Sequence, residues 1–234
     1  MKPILFLISL CVSLTSFSQT INQFNENGER HGVWKKNFEN TNVLRYEGTF
    51  NNGQEEGVFK FYKNIKGKAV LTATKAFEPN TNKAKVTFFS SSGKIISEGT
   101  MREKTYIGTW KYYHSNGKQL MTLEHYNNEG RLEGERLVYY PSGVVAEKSL
   151  YKNGQLHGKS AWYNEAGTLI KMYHYNMDLL HGLAQFYDNS GNLLQEGNYR
   201  NDKKHGIWKY YENGALKEEK DFTIKSKNPY KNKD

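Results

Sequence analysis

Four histidines, His31, His157, His181 and His205, each stand immediately before a glycine. Their recurrence invites a reading as metal ligands or acid–base groups. A zinc ion needs its ligand nitrogens at about 2.1 Å. Equivalent positions in neighbouring hairpin units lie two strands apart, about 9–10 Å. No HExxH or CxxC pattern accompanies the histidines, so they are read as turn residues, and no metal or cofactor is expected. No Ser-His-Asp order, paired-carboxylate motif or phosphate loop recurs either, and a non-catalytic protein is expected. A second set is basic and aromatic: Lys35, Lys60, Lys111 and Lys209 each stand two residues before or near a recurrent ring, as Lys111 does before Tyr113. Such a stripe could bind an anionic glycan, a lipid head group or an acidic protein. It could also be internally neutralised, Lys35 by Glu47, Lys111 by Glu124 and Lys209 by Glu218. Cross-strand pairs of that kind contribute roughly 0.2–1 kcal/mol each and need no ligand.

Both sets are periodic because the chain is. A phrase typified by GTWKYYHSNGKQL at 108–120 and GIWKYYENGALKE at 206–218 returns eight times. Its opening glycines are Gly32, Gly57, Gly108, Gly134, Gly158, Gly182 and Gly206, with Ala84 in the remaining slot, at spacings of 25, 27, 24, 26, 24, 24 and 24. A period in this range indicates one supersecondary unit stacked on its neighbours.

Counting from the opening glycine, position +2 includes Trp34, Phe59, Trp110 and Trp208, and position +4 is large and apolar in seven of eight units, Trp162 and Phe186 among them. A spacing of two on aromatic and β-branched residues is strand periodicity, with +2 and +4 on one face. Where +2 is small, at Ser160 and Ala184, +4 is Trp162 or Phe186, as volume compensation in a packed stripe requires. Position +5 is aromatic in seven of eight units, including Tyr113, Tyr139, Tyr163, Tyr187 and Tyr211. Strict alternation places these rings on the opposite face, whereas a bulge before the turn would redirect them. Two turns punctuate each unit, one near +9 at pairs such as Asn213-Gly214, the other four residues before the next anchor at Gly28, Gly53, Gly130, Gly154, Asp178 and Asp202. Gly, Asn and Asp accept the positive φ of tight hairpins. The expected fold is all-β: an elongated antiparallel meander of about eight hairpins in about 14 to 16 strands, forming a single-layer or curled sheet. The stretch 66–84 is a degenerate unit.

Residues 1–18 are different in character. Lys2 precedes an apolar run from Ile4 to Leu14, and Ser16 and Ser18 stand before Gln19 as a cleavage site requires. This predicts a signal peptide cleaved near Ser18-Gln19, a repeat domain over 19–222 and a basic disordered tail over 223–234. The protein is then secreted or periplasmic. Cys11, the single cysteine, falls within the signal. Net charge is +9, which favours acidic partners or anionic surfaces, while export and dispersed charge argue against nucleic acid. Lys203, Lys204 and Lys209 with the tail form the densest basic cluster.

With GxWxxYYxxG and YxNGxxHG laid out in this way over about 28–222, the chain resembles the MORN-repeat family. It is most similar to the bacterial variant found in proteins labelled YwqK-type toxin–antitoxin antitoxins. The resemblance implies a structural repeat associated with scaffolding, membrane-surface contact and, by label, toxin neutralisation. An export signal departs from an intracellular antitoxin. The reading is a non-catalytic exported interaction scaffold for protein partners or an envelope surface. Its candidate binding surface is Tyr113, Tyr139, Tyr163, Tyr187, Tyr211, Lys111, Lys203, Lys204 and Lys209. The alternatives are a neutraliser of one toxin and a binder of anionic lipid or glycan. The seven glycines with Trp34, Trp110, Trp162 and Trp208 are assigned structural roles.

Overall fold

The computed structural model describes residues 20–223. The expected signal peptide and all but the first residue of the expected tail lie outside the described residues. The strands are β1 (Gln23–Phe24), β2 (Arg30–Asn37), β3 (Leu44–Asn51), β4 (Gln54–Ile65), β5 (Lys68–Phe77), β6 (Lys83–Phe89), β7 (Ile95–Arg102), β8 (Thr105–Tyr113) and β9 (Leu120–Tyr126). They continue as β10 (Gly134–Tyr139), β11 (Val145–Lys152), β12 (Gln155–Tyr163), β13 (Leu169–Asn176), β14 (Leu179–Leu180), β15 (Gly182–Tyr187), β16 (Leu193–Arg200), β17 (Lys203–Glu212) and β18 (Ala215–Asp221). No helix occurs among the described residues. Each strand pairs antiparallel with its neighbour in sequence, and β13 pairs with both β14 and β15, the two pieces of one interrupted strand. The result is an open 18-stranded meander in which β1 and β14 have two residues each.

Two irregularities recur in register. The first lies between +4 and +5. Tyr112 pairs with Thr122 but Tyr113 pairs with Leu120, which leaves Met121 as an extra residue on the second strand. The same step occurs at Lys36/Asn37, Phe61/Tyr62, Phe88/Phe89, Val138/Tyr139, Trp162/Tyr163, Phe186/Tyr187 and Tyr210/Tyr211. The second lies at the opening glycine. Glu98 pairs with Lys111 and Thr100 with Ile107, so Gly108, Thr109 and Trp110 together oppose the single Gly99. Gly108 takes φ +65 there, a conformation costly for a side chain bearing Cβ. Ala84 tests this rule within the chain. Where alanine replaces the glycine, β5 and β6 run in unbroken register from Ala73↔Phe88 to Phe77↔Ala84, with no bulge. The long spacing before it arises in the β4–β5 hairpin, which extends to a Lys66-Gly67 turn at φ 50 and 79.

The hairpin turns before the anchors are those expected, with both central residues at positive φ: Asn52-Gly53, Asn153-Gly154, Met177-Asp178 and Asn201-Asp202. They also bond to one another across units. The Gly154, Asp178 and Asp202 amides donate to the carbonyls of Leu132, Leu156 and Leu180, and Asp178 and Asp202 carboxylates accept from the Leu156 and Leu180 amides.

The core is a stripe on the +2/+4 face. Trp34, Phe50 and Phe59 form one buried cluster, and Ala84, Val86, Met101 and Trp110 another. Towards the C-terminus Tyr173 meets Trp162, Phe186 and Tyr199 edge-on at 5.4–6.0 Å, and Trp208 continues the row from Tyr199. Trp34, Trp110 and Trp208 are buried, whereas Trp162 is half-buried. Beside the glycine bulge the indole bonds the second strand's backbone: Trp110 donates to Thr100 O and Trp208 to Asn198 O, each at 3.0 Å.

Candidate interaction surfaces

The opposite face carries +3 and +5, as alternation predicts. The Tyr62 hydroxyl donates to Glu47 at 2.7 Å, and Glu47 also meets Lys35 at 3.5 Å and Lys60 at 3.6 Å. The bulge does not redirect the +5 rings because its extra residue is inserted in the partner strand. Tyr113 donates to Glu98 at 2.5 Å, Tyr211 to Glu196 at 2.9 Å and Tyr187 to Gln185 at 3.0 Å. These three rings, with Tyr139 and Tyr163, are half-buried and not fully exposed as a simple binding stripe would be. Burial first, and then the hydrogen bond to a carboxylate, pushes Tyr62 and Tyr113 up to about 12. The Tyr62 bond is the largest of the influences that lower Glu47.

Of the three expected charge pairs, Lys35–Glu47 forms. The other two do not. Lys111 lies across from Leu123 and Glu98, and Lys209 across from Glu219 and Glu196. Glu124 is on the stripe face, where Arg136 occupies a +2 position otherwise filled by apolar or small residues. Arg136 bonds Glu124 at 3.0 Å and Glu147 at 3.2 Å, and Glu124 accepts from the Tyr126 hydroxyl at 2.6 Å. This triad interrupts the aromatic stripe, its one guanidinium bridging two carboxylates.

The candidate lysines divide between the faces. Lys204 lies over Trp208, its Nζ 3.9 Å from the ring centroid, and donates to the Tyr210 hydroxyl at 3.2 Å. Lys111 and Lys209 are on the other face, and Lys203 is exposed at the β16–β17 turn opposite Arg200. The four histidines remain in separate units: His31 faces Gln23, His181 Nδ1 is 3.4 Å from Asn201 Oδ1, and His205 faces Asn198. Among the described residues no group of His, Cys, Asp and Glu is arranged to hold a metal ion.

Counting by twos in the sequence missed the bulge residues. The extra positions on successive second strands are Arg45, Thr72, Ile96, Met121, Ala146, Ile170, Leu194 and Lys217. The five from Ile96 to Leu194 are apolar and recur once per hairpin beside the +5 rings, Phe89 and then the tyrosines. Ile96, Met121 and Leu194 are 48%, 37% and 44% exposed, high for side chains of this kind. No polar network demands them there.

The chain matches the family described as the MORN repeat variant over residues 132–153, 180–201 and 204–223. No curated protein matches it. Among solved structures, a mutant of Staphylococcus aureus TarM in complex with fondaparinux, alpha-GlcNAc-glycerol and UDP is 13% identical, over 50% of this chain and 18% of that one, with a TM-score of 0.18. The chain thus spans less than a fifth of that structure's length, and so low a score carries no conclusion about fold or activity. The three family matches coincide with the hairpins β10–β11, β14–β16 and β17–β18 and their turns, and they support a MORN-repeat reading of those units.

Proposed function

We propose that the protein is a non-catalytic, exported repeat scaffold that binds an extended protein partner along the first-turn side of its sheet. The observation that carries this reading is the row Ile96, Met121, Ala146, Ile170 and Leu194, one apolar bulge residue per hairpin. A contact repeated at two-strand intervals, about 9–10 Å, suits an extended chain better than a compact small molecule. Tyr113, Tyr139, Tyr163 and Tyr187 flank the row and offer half-buried rings with polar ends, the chemistry enriched where proteins meet.

The test is capture from an envelope extract by the wild-type chain and by Met121→Glu/Leu194→Glu. Both positions are exposed, so the variant should fold. Proteins retained by the wild type should be lost from the variant. Equal retention would contradict the assigned surface, and one stoichiometric partner bound elsewhere would favour the neutraliser.

A further inference from the structure

Lys36 is the exception among the eight +4 residues. Where Phe61, Phe88, Tyr112, Val138, Trp162, Phe186 and Tyr210 fill the stripe, the first unit has a flexible cationic chain. The missing bulk coincides with a cavity of about 370 Å³ lined by Arg30, Lys36, Arg45, Tyr46, Phe50, Glu55, Phe59 and Phe61. Its floor is aromatic: Phe50 and Phe59 meet edge-on at 5.1 Å, and Phe59 and Phe61 stack at 6.2 Å. Its rim carries three cations and one carboxylate. Arg30 lies 5.0 Å from the Trp34 ring and 5.1 Å from Phe50, its Nη1 3.5 Å from the Tyr46 hydroxyl. Lys36 faces Tyr46 across the pair, and Arg45 is the extra residue of the adjoining bulge. Some lysines meet carboxylates, as Lys35 and Lys60 meet Glu47, whereas among the described residues Arg30, Lys36 and Arg45 form no ion pair.

We propose that this cavity binds acidic sugar residues, with an anionic polysaccharide as the ligand. A uronate has three chemical features that this lining complements. Its carboxylate can take charge-assisted hydrogen bonds from Arg30, Lys36 or Arg45. Its hydroxyls are donors that Glu55 and Tyr46 can accept. Its C–H face can lie on the exposed parts of Phe61 and Tyr46, whose half-buried rings border the opening. An inorganic polyanion would use the cations but oppose Glu55 and gain nothing from the rings. The site is separate from the apolar row Ile96 to Leu194: it lies in the first two units, where the bulge position is the cationic Arg45.

The experiment is calorimetric titration of the whole protein at low ionic strength with polygalacturonate, galacturonic acid, neutral galactan and polyphosphate. Polygalacturonate should bind, galacturonic acid should bind more weakly at the same site, and galactan and polyphosphate should bind at least tenfold more weakly than polygalacturonate. Lys36→Phe, which restores the ring found at +4 elsewhere and fills the cavity, should weaken polygalacturonate binding at least tenfold without loss of stability. Arg45→Ser should weaken it severalfold, whereas Lys203→Ser, at the far end of the sheet, should leave it unchanged. A wild-type protein that binds neither uronate probe overturns the proposal. So does polyphosphate binding as tight as polygalacturonate, or an equal loss in the Lys203 and Lys36 variants, since either would reduce the interaction to general charge.

Discussion

Gly99 lies directly beneath Trp110, so closely that a Cβ on the glycine would stand 2.4 Å from the indole ring. Gly48 has the same relation to Phe59, and Gly197 to Trp208, at 2.4 and 2.3 Å. These second-strand glycines are needed for space, unlike the anchors, which are needed for φ. The buried indole cannot move aside because its Nε1 is tied to Thr100 O. Gly99→Ala should therefore destabilise the protein by about 1–3 kcal/mol, the cost of overpacking a tight site. Chemical denaturation checks this, and Gly93→Ala, at an open turn, separates packing from backbone strain.

The unit opened by Gly182 reaches the same volume differently. Nine residues before the anchor, except in the Gly134 unit where Glu124 lies ten before it opposite Arg136, stands the residue that faces the next +2 position: Ser149 with Ser160 and, continuing the register of Lys171 with Phe186, Tyr173 with Ala184. Ala184 is fully buried, and the Tyr173 ring packs among Trp162, Phe186 and Tyr199. Large-over-small in this unit mirrors small-under-large at Gly99 and Trp110. Tyr173→Gly alone should cost about 3–5 kcal/mol by cavity formation, and Ala184→Trp alone about 1–3 kcal/mol. The double variant should lose less than the sum, because it recreates the arrangement of the other units. A double-mutant cycle with zero coupling would contradict reciprocal filling.

Stability should fall in strong base through Tyr62 and Tyr113. Both phenols are raised from 10 to about 12 in the folded protein, chiefly by burial and then by their bonds to Glu47 and Glu98. A raised folded-state value means that the contribution is complete below pH 10 and is lost as pH climbs towards about 12. Tyr62→Phe/Tyr113→Phe should lose less stability over that interval than the wild type. Lysine deprotonation affects both proteins alike, so the difference in urea midpoints between them isolates the phenols.

Much of this architecture is legible in the sequence because its determinants are periodic. The +2 and +4 rings at Trp110 and Tyr112, the paired turn residues at Asn153-Gly154 and the repeat spacing all report the hairpin directly. The pairing of charges is not legible in the same way. Each bulge inserts an unpaired residue, so counting across the turn slips: Lys111 faces Leu123, and Glu124 turns to Arg136 on the other face. The second-strand glycines were equally hidden, because their role is defined by a ring in the next unit. The row from Ile96 to Leu194 escapes notice for a related reason. Its members are aligned only after the bulges are placed, and in sequence they read as ordinary strand apolars.

Hydrogen–deuterium exchange on the partner-bound protein tests the extended-contact account most directly. Added protection should appear together at the first-turn ends of β7, β9, β13 and β16, the strands that carry Ile96, Met121, Ile170 and Leu194. Protection confined to a single hairpin, or spread along the opposite turns, would contradict it.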